Sequence, residues 1–436
     1  MLARIKELAL QYEDDTINIR RDIHKYAETG WTEYRTASLV AKTLEGLRWQ
    51  VFAGYEVIDE ESMMGVPDAS ELRRHEERAV AQGADPSWLE KMTGGKTGVM
   101  GVMEFDKPGP TVALRFDMDA NDLVEAEDEN HRPYTAGFAS VNKGAMHGCG
   151  HDGHTAIGLT VARILAVLKE DLAGKVKLIF QPAEEGVRGA KAMVAKGIVD
   201  DVHYMLGFHL GTGLRKLGQI SCDAGGFLAT TKLDATFTGK PAHAGLAPET
   251  GKNALLAAAT ALLNLHAIPR HGLGPSRINV GILQGGTGRN VIPANAVLKL
   301  ETRGANTKIN EYMHEEAVRI IKGAALMHDV QVSVKQVGSA ASADSDRDLG
   351  LRGLRIAEEL ELFDEFIPRE DLGGSEDIAY FMSRVQENGG QAAYAIIGTE
   401  LAAGHHDSRF DFNEAVLCRA VAYAAGLTAS LLTGKD

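Results

Sequence analysis

Apolar and polar residues follow two different periods in the first half of the chain. Up to about residue 47 the apolar residues recur at helical spacing, which predicts amphipathic helix, and a charged helical insertion follows near residues 54–95. From residue 111 onward strand-like and helix-like runs alternate, with strands at 111–116, 176–180 and 204–208 and helices at 156–168 and 189–196. Such alternation predicts an α/β domain built on a mostly parallel sheet.

The pattern changes between about residues 226 and 338. Leu233, Ala235 and Phe237 alternate with polar neighbours, and further helix-like and strand-like runs follow at 253–266, 277–283, 296–302, 310–327 and 330–334. The order βαββαβ is that of a ferredoxin-like α+β unit. Beyond it we predict helices at 347–362, 375–386 and 413–432 and a strand at 392–397. The simplest architecture is a discontinuous catalytic domain, residues 1–225 and 339–436, interrupted by a smaller domain at 226–338.

Length and composition narrow the class of protein. A chain of 436 residues is too long for one compact core, which favours two domains. Its 46 basic and 60 acidic residues give a net charge of −14, and such a field repels nucleic acids and anionic membranes. Three cysteines are too few for a disulfide framework, and charged residues interrupt the apolar run that an N-terminal signal peptide would need. The most apolar stretch, 254–267, is too short to span a bilayer. We expect a cytoplasmic protein without nucleic-acid or membrane partners.

Side chains that can carry chemistry follow the carboxyl ends of three predicted strands. Asp117 and Asp119 come after the first strand, Glu184 and Glu185 after the second, and His209 after the third. Ligands of open α/β sheets bind at those ends.

Three imidazoles and one thiol lie within eight residues just before a predicted helix, at His147, Cys149, His151 and His154. Thiolate and imidazole are the strongest protein ligands for divalent transition metals. The alternative is a group of surface histidines beside a buried cysteine, because short His/Cys motifs have many false positives.

Glu184 and Glu185 are adjacent after a strand. In extended backbone neighbouring side chains point to opposite sides, so one carboxylate can bind a metal while the other acts as a general base. The alternative is a solvated turn, which adjacent glutamates usually form.

His209 and the pair His405–His406 complete the candidate donors. Each of these residues, taken singly, has a structural alternative: a core histidine for His209, surface histidines for the pair, and a turn for Asp117 and Asp119. Their occurrence in order along one chain, where a dinuclear metal site needs them, favours the metal-site interpretation.

These motifs resemble the metallo-amidohydrolases related to hippurate hydrolase, auxin-conjugate hydrolases and glutamate carboxypeptidase. The resemblance covers nearly the whole chain and is carried by the segments RFDMDA (115–120), MHGCGHDGH (146–154), QPAEEG (181–186), AHA (242–244) and NVIP (290–293). Within that family the chain most resembles members that hydrolyse aminobenzoyl-glutamate. This second likeness is carried by the 54–95 insertion and by GGTGRNV (285–291) and LAAGHH (401–406).

The resemblance implies a set of site residues. Two divalent metal ions would be bound by Cys149, His151, Glu185, His209 and His406. Glu184 matches the general base, Asp117 matches the aspartate beside the metal centre, and Asp119 would support the site. The smaller domain at 226–338, which we call the insert, would serve as a lid and dimerisation domain. In the family, the histidine that matches His243 reaches the substrate carbonyl, often across a dimer interface.

Two points stay open at this stage. His405 adjoins His406, and the choice of His406 as the metal ligand rests on its spacing along the sequence from Phe410. The family implies manganese, whereas the thiol of Cys149 suits zinc.

The expected reaction is hydrolysis of the amide bond of an N-acyl amino acid, with p-aminobenzoyl-glutamate giving p-aminobenzoate and glutamate. One alternative is an amidohydrolase for acetyl- or benzoyl-amino acids. Another, of a different class, is a non-catalytic binding subunit, which the presence of both Glu184 and His151 disfavours. The partners would be a small-molecule substrate and either a second copy of the chain or a related second subunit.

Arg289 and Asn290 are the expected substrate-binding residues of the insert. A guanidinium binds carboxylate through paired, charge-assisted hydrogen bonds, which suits a substrate that contains glutamate. The equally weighted alternative is a surface arginine in a glycine-rich turn.

Overall fold

The computed structural model describes residues Met1–Gly434, and these fall into two compact units. The larger unit contains Met1–Gly225, Ala343–Leu372 and the residues from Asp377 onward. The insert contains Gly226–Ser342 and Gly373–Glu376. The boundary predicted at 338/339 falls inside a strand that continues to Ala340, so the insert ends a few residues later than the sequence suggested.

The first segment of the larger unit runs to residue 225. In chain order its elements are α1 (Leu2–Gln11), α2 (Glu13–Lys25), α3 (Tyr34–Gly46), β1 (Gln50–Ala53), α4 (Ala69–Ala81), α5 (Pro86–Leu89), β2 (Val99–Glu104), β3 (Thr111–Asp117), α6 (Arg132–Thr135), α7 (His151–Val167), β4 (Lys175–Gln181), α8 (Ala190–Ala195), β5 (Tyr204–Leu210), β6 (Gln219–Ser221) and β7 (Ala224–Gly225). The predicted strands are confirmed as β3, β4 and β5, with helices α7 and α8 in the intervening stretches. The helical region at the N-terminus is divided into three helices, and the short strands β1 and β2 had no clear signal in the sequence.

The insert has the predicted βαββαβ order. Its elements are β8 (Ala229–Thr238), α9 (Ala254–His266), β9 (Ser276–Gly285), β10 (Asn295–Gly304), α10 (Thr307–Met327) and β11 (Gln331–Ala340). The four strands form an antiparallel sheet in the order β11-β8-β10-β9. Leu233, Ala235 and Phe237 alternate into the apolar core between this sheet and the two helices, which confirms the ferredoxin-like prediction.

The chain then returns to the larger unit. The remaining elements are α11 (Arg347–Leu360), β12 (Glu365–Phe366), β13 (Glu370–Asp371), α12 (Ala379–Glu387), β14 (Gln391–Ile397) and α13 (Val416–Thr433). Helix α12 begins four residues later than predicted, and α13 begins three residues later.

The main sheet has eight strands in the order β1-β2-β4-β3-β5-β14-β6-β12. Its centre, β4-β3-β5-β14, is parallel. Outside this centre β1 pairs antiparallel with β2, β2 with β4, and β6 with β14. Every residue of β3 is buried, as expected for a parallel strand covered on both faces. Because β3, β4 and β5 are parallel, their carboxyl ends meet at one edge of the sheet.

Helix α7 lies close against the sheet, where Gly158 makes the close approach possible. A Cβ at Gly158 would lie 2.7 Å from the ring of Phe116 on β3 and 2.8 Å from that of Phe180 on β4. A side chain at this position would push the helix away from the sheet. The contact therefore sets the position of His151, the first residue of the helix.

Among the described helices, α13 alone is long and apolar enough to cross a membrane, and 89% of its 18 residues are buried inside the protein. It packs against α7 and α1. Burial of this extent is typical of a core helix.

A buried ionic network joins three distant segments of the larger unit. The guanidinium of Arg20 on α2 is fully buried and lies 2.8 Å from Asp152, 2.8 Å from Asp411 and 3.1 Å from Glu414. Its carbon also lies 4.4 Å from the ring centre of Phe412. Burial opposes the ionisation of Asp152, but Arg20 and a hydrogen bond with His24 hold the pKa of this carboxyl well below its usual range.

Replacement of Arg20 should be strongly destabilising. In Arg20→Met three buried carboxylates lose their shared cation, and breaking a buried ion pair in this way costs about 3–5 kcal/mol. Urea or thermal unfolding of the purified protein measures the change. The matched control is Arg384→Met, because Arg384 pairs with Asp200 while both side chains are more than 40% exposed. An equal loss of stability in the two variants would contradict the structural importance of the network.

Candidate active site

The ends of β3 and β4 are connected through one carboxylate. Asp119, two residues beyond β3, accepts the backbone N–H of Glu184 at 3.0 Å and that of Glu185 at 2.9 Å. The turn that carries both glutamates begins with Ala183, whose φ is +53°. Asp119 thus holds the backbone of the paired glutamates in a single conformation.

His151 presents one ring nitrogen to the site. Its Nδ1 lies 2.9 Å from the backbone carbonyl oxygen of Asp119, and because a carbonyl can only accept, Nδ1 carries the hydrogen. In the neutral ring the lone pair is therefore on Nε2, which is buried and finds no hydrogen-bond partner in the described structure. A buried imidazole with its second nitrogen directed by a carbonyl is the usual arrangement of a metal ligand.

His209 is arranged in the same way. It lies in β5, which continues to Leu210 rather than ending at 208 as predicted. Its Nδ1 is 2.9 Å from the carbonyl oxygen of Leu210, which leaves Nε2 unprotonated and 3.4 Å from Sγ of Cys149. The two histidines therefore present equivalent donor atoms.

Three overlapping groups of potential ligands contain all the metal-binding residues expected from the resemblance. In each group the ligand atoms lie within 4.8 Å of one another, the groups being Cys149 with His151 and His209, Cys149 with Glu185 and His406, and His151 with Glu184 and Glu185. The shared members make these groups neighbours. The cluster can thus offer two adjacent cation positions.

The thiol of Cys149 needs a positive charge nearby in order to ionise. Burial, reinforced by the carboxylate of Glu185, raises its pKa to about 12. The thiolate is the form that binds metals, and a bound cation would offset both effects. The position therefore suits a metal ligand and is poor for a free nucleophile.

The structure separates His406 from His405. The Nε2 atom of His406 lies 3.2 Å from a carboxylate oxygen of Glu185, and its backbone N–H donates to the carbonyl of Gly148 at 2.8 Å. The ring of His405 instead packs against Phe410 at 5.0 Å, with Nε2 3.3 Å from the carbonyl oxygen of Leu210. The geometry favours His406 as the donor.

Asp117 and His154 lie beside the candidate metal ligands and are not members of that ligand set. One oxygen of Asp117 is 2.6 Å from Nδ1 of His154, whose Nε2 accepts the N–H of Leu210 at 3.1 Å. The other oxygen contacts Arg115 and lies 3.8 Å from Nε2 of His151. Burial opposes the charge on Asp117, but His151, His154 and Arg115 hold its pKa well below the usual range. Both nitrogens of His154 are thus occupied, and its role is structural.

Sequence reasoning missed Asn121. Its side-chain oxygen accepts the N–H of Gly148 at 3.0 Å, and its side chain is also hydrogen-bonded to Glu185. Its backbone pairs in both directions with Met146, before the Cys149 segment. Asn121 thus connects the carboxylate ligand to the loop that carries the thiol. The available signal was its position two residues after Asp119.

Arg188 was also missed, and it connects the 54–95 insertion to the site. Its Nε donates to the carbonyl of Glu185 at 2.9 Å and its Nη1 to the carbonyl of Gly65 at 3.1 Å. The insertion is held further by Trp31, whose indole N–H donates to the carbonyl of Met64 at 2.7 Å. The insertion therefore packs beside the glutamate turn and is not a detached segment.

The predicted insert residues lie together on one exposed part of the insert. His243 pairs with Val291 in an isolated β-bridge, and the carbonyl of Asn290 accepts the N–H of Ala244 at 3.0 Å. His243, Arg289 and Asn290 are all exposed. Nδ1 of His243 accepts two backbone N–H groups, each at 3.2 Å, which orients the ring.

Several known proteins resemble this chain in sequence and fold. Residues 113–430 match the family model described as peptidase family M20/M25/M40. The chain is 52% identical over 404 residues to a p-aminobenzoyl-glutamate hydrolase subunit of Escherichia coli, covering 92% of each protein. It is 49% identical over 406 residues to indole-3-acetyl-aspartic acid hydrolase of Enterobacter agglomerans, again covering 92% of each.

A solved structure has the same fold. The aminobenzoyl-glutamate utilization protein of Klebsiella pneumoniae superposes with a TM-score of 0.85 at 42% identity, covering 97% of this chain and 98% of the other. The relatives and the fold agree over nearly the whole length of the chain, and the family model agrees over residues 113–430. The chain belongs to peptidase family M20/M25/M40 and is an amidohydrolase.

Proposed function

We propose that the chain hydrolyses p-aminobenzoyl-glutamate to p-aminobenzoate and glutamate. The observation that carries the hydrolytic chemistry is the convergence of Glu184 with five potential ligands at one edge of the sheet. The identity of 52% with an Escherichia coli protein named for this reaction supports the substrate.

The donors fit a pair of divalent cations, which we propose as the cofactors. Two imidazoles direct Nε2 atoms that are unprotonated in the neutral ring, and a thiol, a carboxylate and a third imidazole complete a set consisting of Cys149, His151, Glu185, His209 and His406. When bound, such cations polarise the substrate carbonyl and lower the pKa of water to about 7. Manganese is the ion that the family resemblance favours, and zinc is the alternative because of the thiolate.

Glu184 is the proposed general base and acid. Glu185 is held by Asn121 and His406, as a ligand would be, and the carboxylate of Glu184 lies in one donor group with His151 and Glu185. The carboxylate of Glu184 takes a proton from water as the new C–O bond forms at the amide carbon. It then delivers that proton to the nitrogen as the C–N bond breaks.

Residues of the insert complete the proposed substrate site. His243 would stabilise the negative charge that develops on the carbonyl oxygen, a contribution of roughly 3 kcal/mol per donor. Asn290 and Arg289 would bind the glutamate portion, with the guanidinium pairing with a carboxylate. The insert then acts as the lid over the substrate.

We also propose that the insert is the dimerisation domain. Helix α9 exposes Leu256 by 51% and Leu263 by 72%, and β9, at the edge of its sheet, exposes Ile282 by 46%. Apolar side chains on neighbouring elements and an unpaired strand edge favour association. The partner is a second copy or a related chain, and the naming of the Escherichia coli relative as one subunit of a hydrolase supports either arrangement. The three free cysteines fit a cytoplasmic location.

A second candidate substrate is an N-acyl aspartate with an aromatic acyl group. The relative named for indole-3-acetyl-aspartic acid is almost as similar, at 49% identity. Both named substrates join an aromatic acyl group to an acidic amino acid, which is the feature that Arg289 would recognise.

The substrate assignment is tested by kcat/KM for p-aminobenzoyl-glutamate, indole-3-acetyl-aspartate and hippurate with the purified, metal-loaded chain. We expect the first to be highest and hippurate, which lacks the acidic side chain, to be lowest. Chelation should abolish all three activities, and added manganese or zinc should restore them. Full activity in a sample shown by elemental analysis to contain no metal would reject the metal mechanism.

Glu184→Gln tests the general base. The amide keeps the shape of the carboxylate but cannot accept the proton, so kcat should fall by roughly 10²–10⁴-fold. The metal content should stay unchanged. The matched control is Glu185→Gln, which should instead lose bound metal. Near-normal turnover in Glu184→Gln, with both metals bound, would show that the base is another residue.

Arg289→Ala tests the recognition of the acidic amino acid. Loss of the charge pair with a substrate carboxylate, which would be desolvated in the complex, should weaken binding of p-aminobenzoyl-glutamate by roughly 2 kcal/mol or more. Binding of p-aminobenzoyl-alanine should change little, because it has no side-chain carboxylate. Equal losses for the two ligands would leave Arg289 with a structural role only.

A further inference from the structure

The loop between α2 and α3 lies against the turn that carries the paired glutamates. A Cβ at Gly30 would lie 3.0 Å from Cα of Ala183, so the two backbones meet closely. Three residues later, the fully buried carboxylate of Glu33 accepts the backbone N–H of Ala183 at 2.8 Å. Its other oxygen accepts a hydrogen bond from the hydroxyl of Thr97 at 2.6 Å. No step of the proposed hydrolysis uses this buried carboxylate.

Ala183 has a backbone conformation that needs support from its surroundings. Its φ of +53° lies in the left-handed region, which costs free energy for a residue with a Cβ. The peptide group before its Cα is held by Glu33, through the N–H of Ala183. The peptide group after its Cα is held by Asp119, through the N–H of Glu184. Because φ and ψ of Ala183 set the angle between these two peptide groups, the two carboxylates fix that angle together.

The conformation of Ala183 determines the direction of the Glu184 side chain. A change in φ or ψ of one residue rotates the residue that follows it, and Glu184 follows Ala183. Loss of the contact with Glu33 would also leave the buried N–H of Ala183 without its acceptor, which favours such a change. The carboxylate of Glu185 is held separately by its own side-chain contacts. The contact of Glu33 should therefore affect the position of Glu184 more than that of the proposed metal ligand.

We infer that Glu33 is a positioning residue, which holds Ala183 in its left-handed conformation and thereby places the carboxylate of Glu184 for proton transfer. The inference rests on the proposed role of Glu184 as the general base. A base must lie within hydrogen-bond distance of the proton that it accepts, and a misplacement of about 1 Å can cost roughly 10²-fold in rate.

Burial and the nearby charge of Asp119 raise the pKa of Glu33 to about 8. At neutral pH an uncharged amide of the same length is therefore a close substitute for this carboxyl group. Its oxygen can still accept the N–H of Ala183, and its N–H can donate to the hydroxyl oxygen of Thr97.

Three substitutions of Glu33 separate its geometry from its charge. Glu33→Leu removes both acceptors, so kcat should fall by roughly 10–10²-fold while KM and metal content stay unchanged. Glu33→Gln keeps both hydrogen bonds and should retain most of the activity. Glu33→Asp can keep the charge but is one methylene shorter, so its kcat should fall well below that of Glu33→Gln. The rates are measured with whichever of the three amide substrates is hydrolysed fastest, and the metal content by elemental analysis.

Glu28→Leu is the matched control. Glu28 is a fully buried glutamate of the same loop, and its carboxylate accepts the backbone N–H groups of Arg35 and Thr36 at 3.1 and 2.9 Å. Its replacement should lower the Tm, as that of Glu33 does, and leave kcat close to that of the unaltered protein. Equal falls of kcat in Glu28→Leu and Glu33→Leu would mean that any buried carboxylate of the loop has this effect, and would overturn the inference.

The series at position 33 can also contradict the inference. An unchanged kcat in Glu33→Leu, or loss of its bound metal, would overturn it. So would a fall of kcat in Glu33→Gln as large as that in Glu33→Asp. This last comparison decides the question even where Glu33→Leu does not fold.

A double-mutant cycle tests whether Glu33 acts through Glu184. Residues that act as a unit are strongly non-additive, so Glu33→Leu should cost much less in a Glu184→Gln background than in the unaltered protein. Equal fold-losses in the two backgrounds would overturn the inference. Near-normal turnover in Glu184→Gln alone would reject the base and with it the positioning role. Collapse of turnover in Glu184→Gln, with an unchanged rate in Glu33→Leu, would reject the positioning role and leave the proposed function standing.

Discussion

The buried guanidinium of Arg20 is the contact on which the geometry of the site depends. It binds Asp152, the residue after His151, and it binds Asp411, five residues after His406. Two segments that carry candidate ligands, far apart in the chain, are thereby attached to one helix near the N-terminus. Because a buried cation with several carboxylates is costly to rearrange, these segments have one favoured relative position.

Asp119 organises the remaining ligands at shorter range. Its carboxylate accepts the backbone N–H groups of Glu184 and Glu185, and its carbonyl accepts the Nδ1 hydrogen of His151. One residue thus sets the conformation of the glutamate turn and the tautomer of an imidazole. Asn121 and His406 then hold the carboxylate of Glu185, which lies in one donor group with those of Glu184 and His151. These contacts of Glu185 are the physical basis for proposing it as the ligand.

The larger unit supplies the hydrolytic groups, and the insert supplies the groups that we propose distinguish substrates. The exposed residues His243, Arg289 and Asn290 belong to a unit with its own apolar core. Such a unit can change its loops without disturbing the ligands of the larger unit. Two of the relatives are named for different aromatic acyl groups joined to acidic amino acids.

The sequence by itself determined the elements with strong local periodicity and the candidate donors. The strands β3, β4 and β5 and the βαββαβ order follow from runs of apolar residues, and the family that the short motifs resemble implies Cys149, His151 and Glu185 as donors. Only the tertiary structure decided the pairing of β14 with β5, the ionic contacts of Arg20, the role of Asn121 and the different environments of His405 and His406. Local pattern records whether a side chain is buried, but not which distant residue it meets. Those contacts arise when segments far apart in the chain are brought together, and they depend on distances that no neighbouring residue specifies.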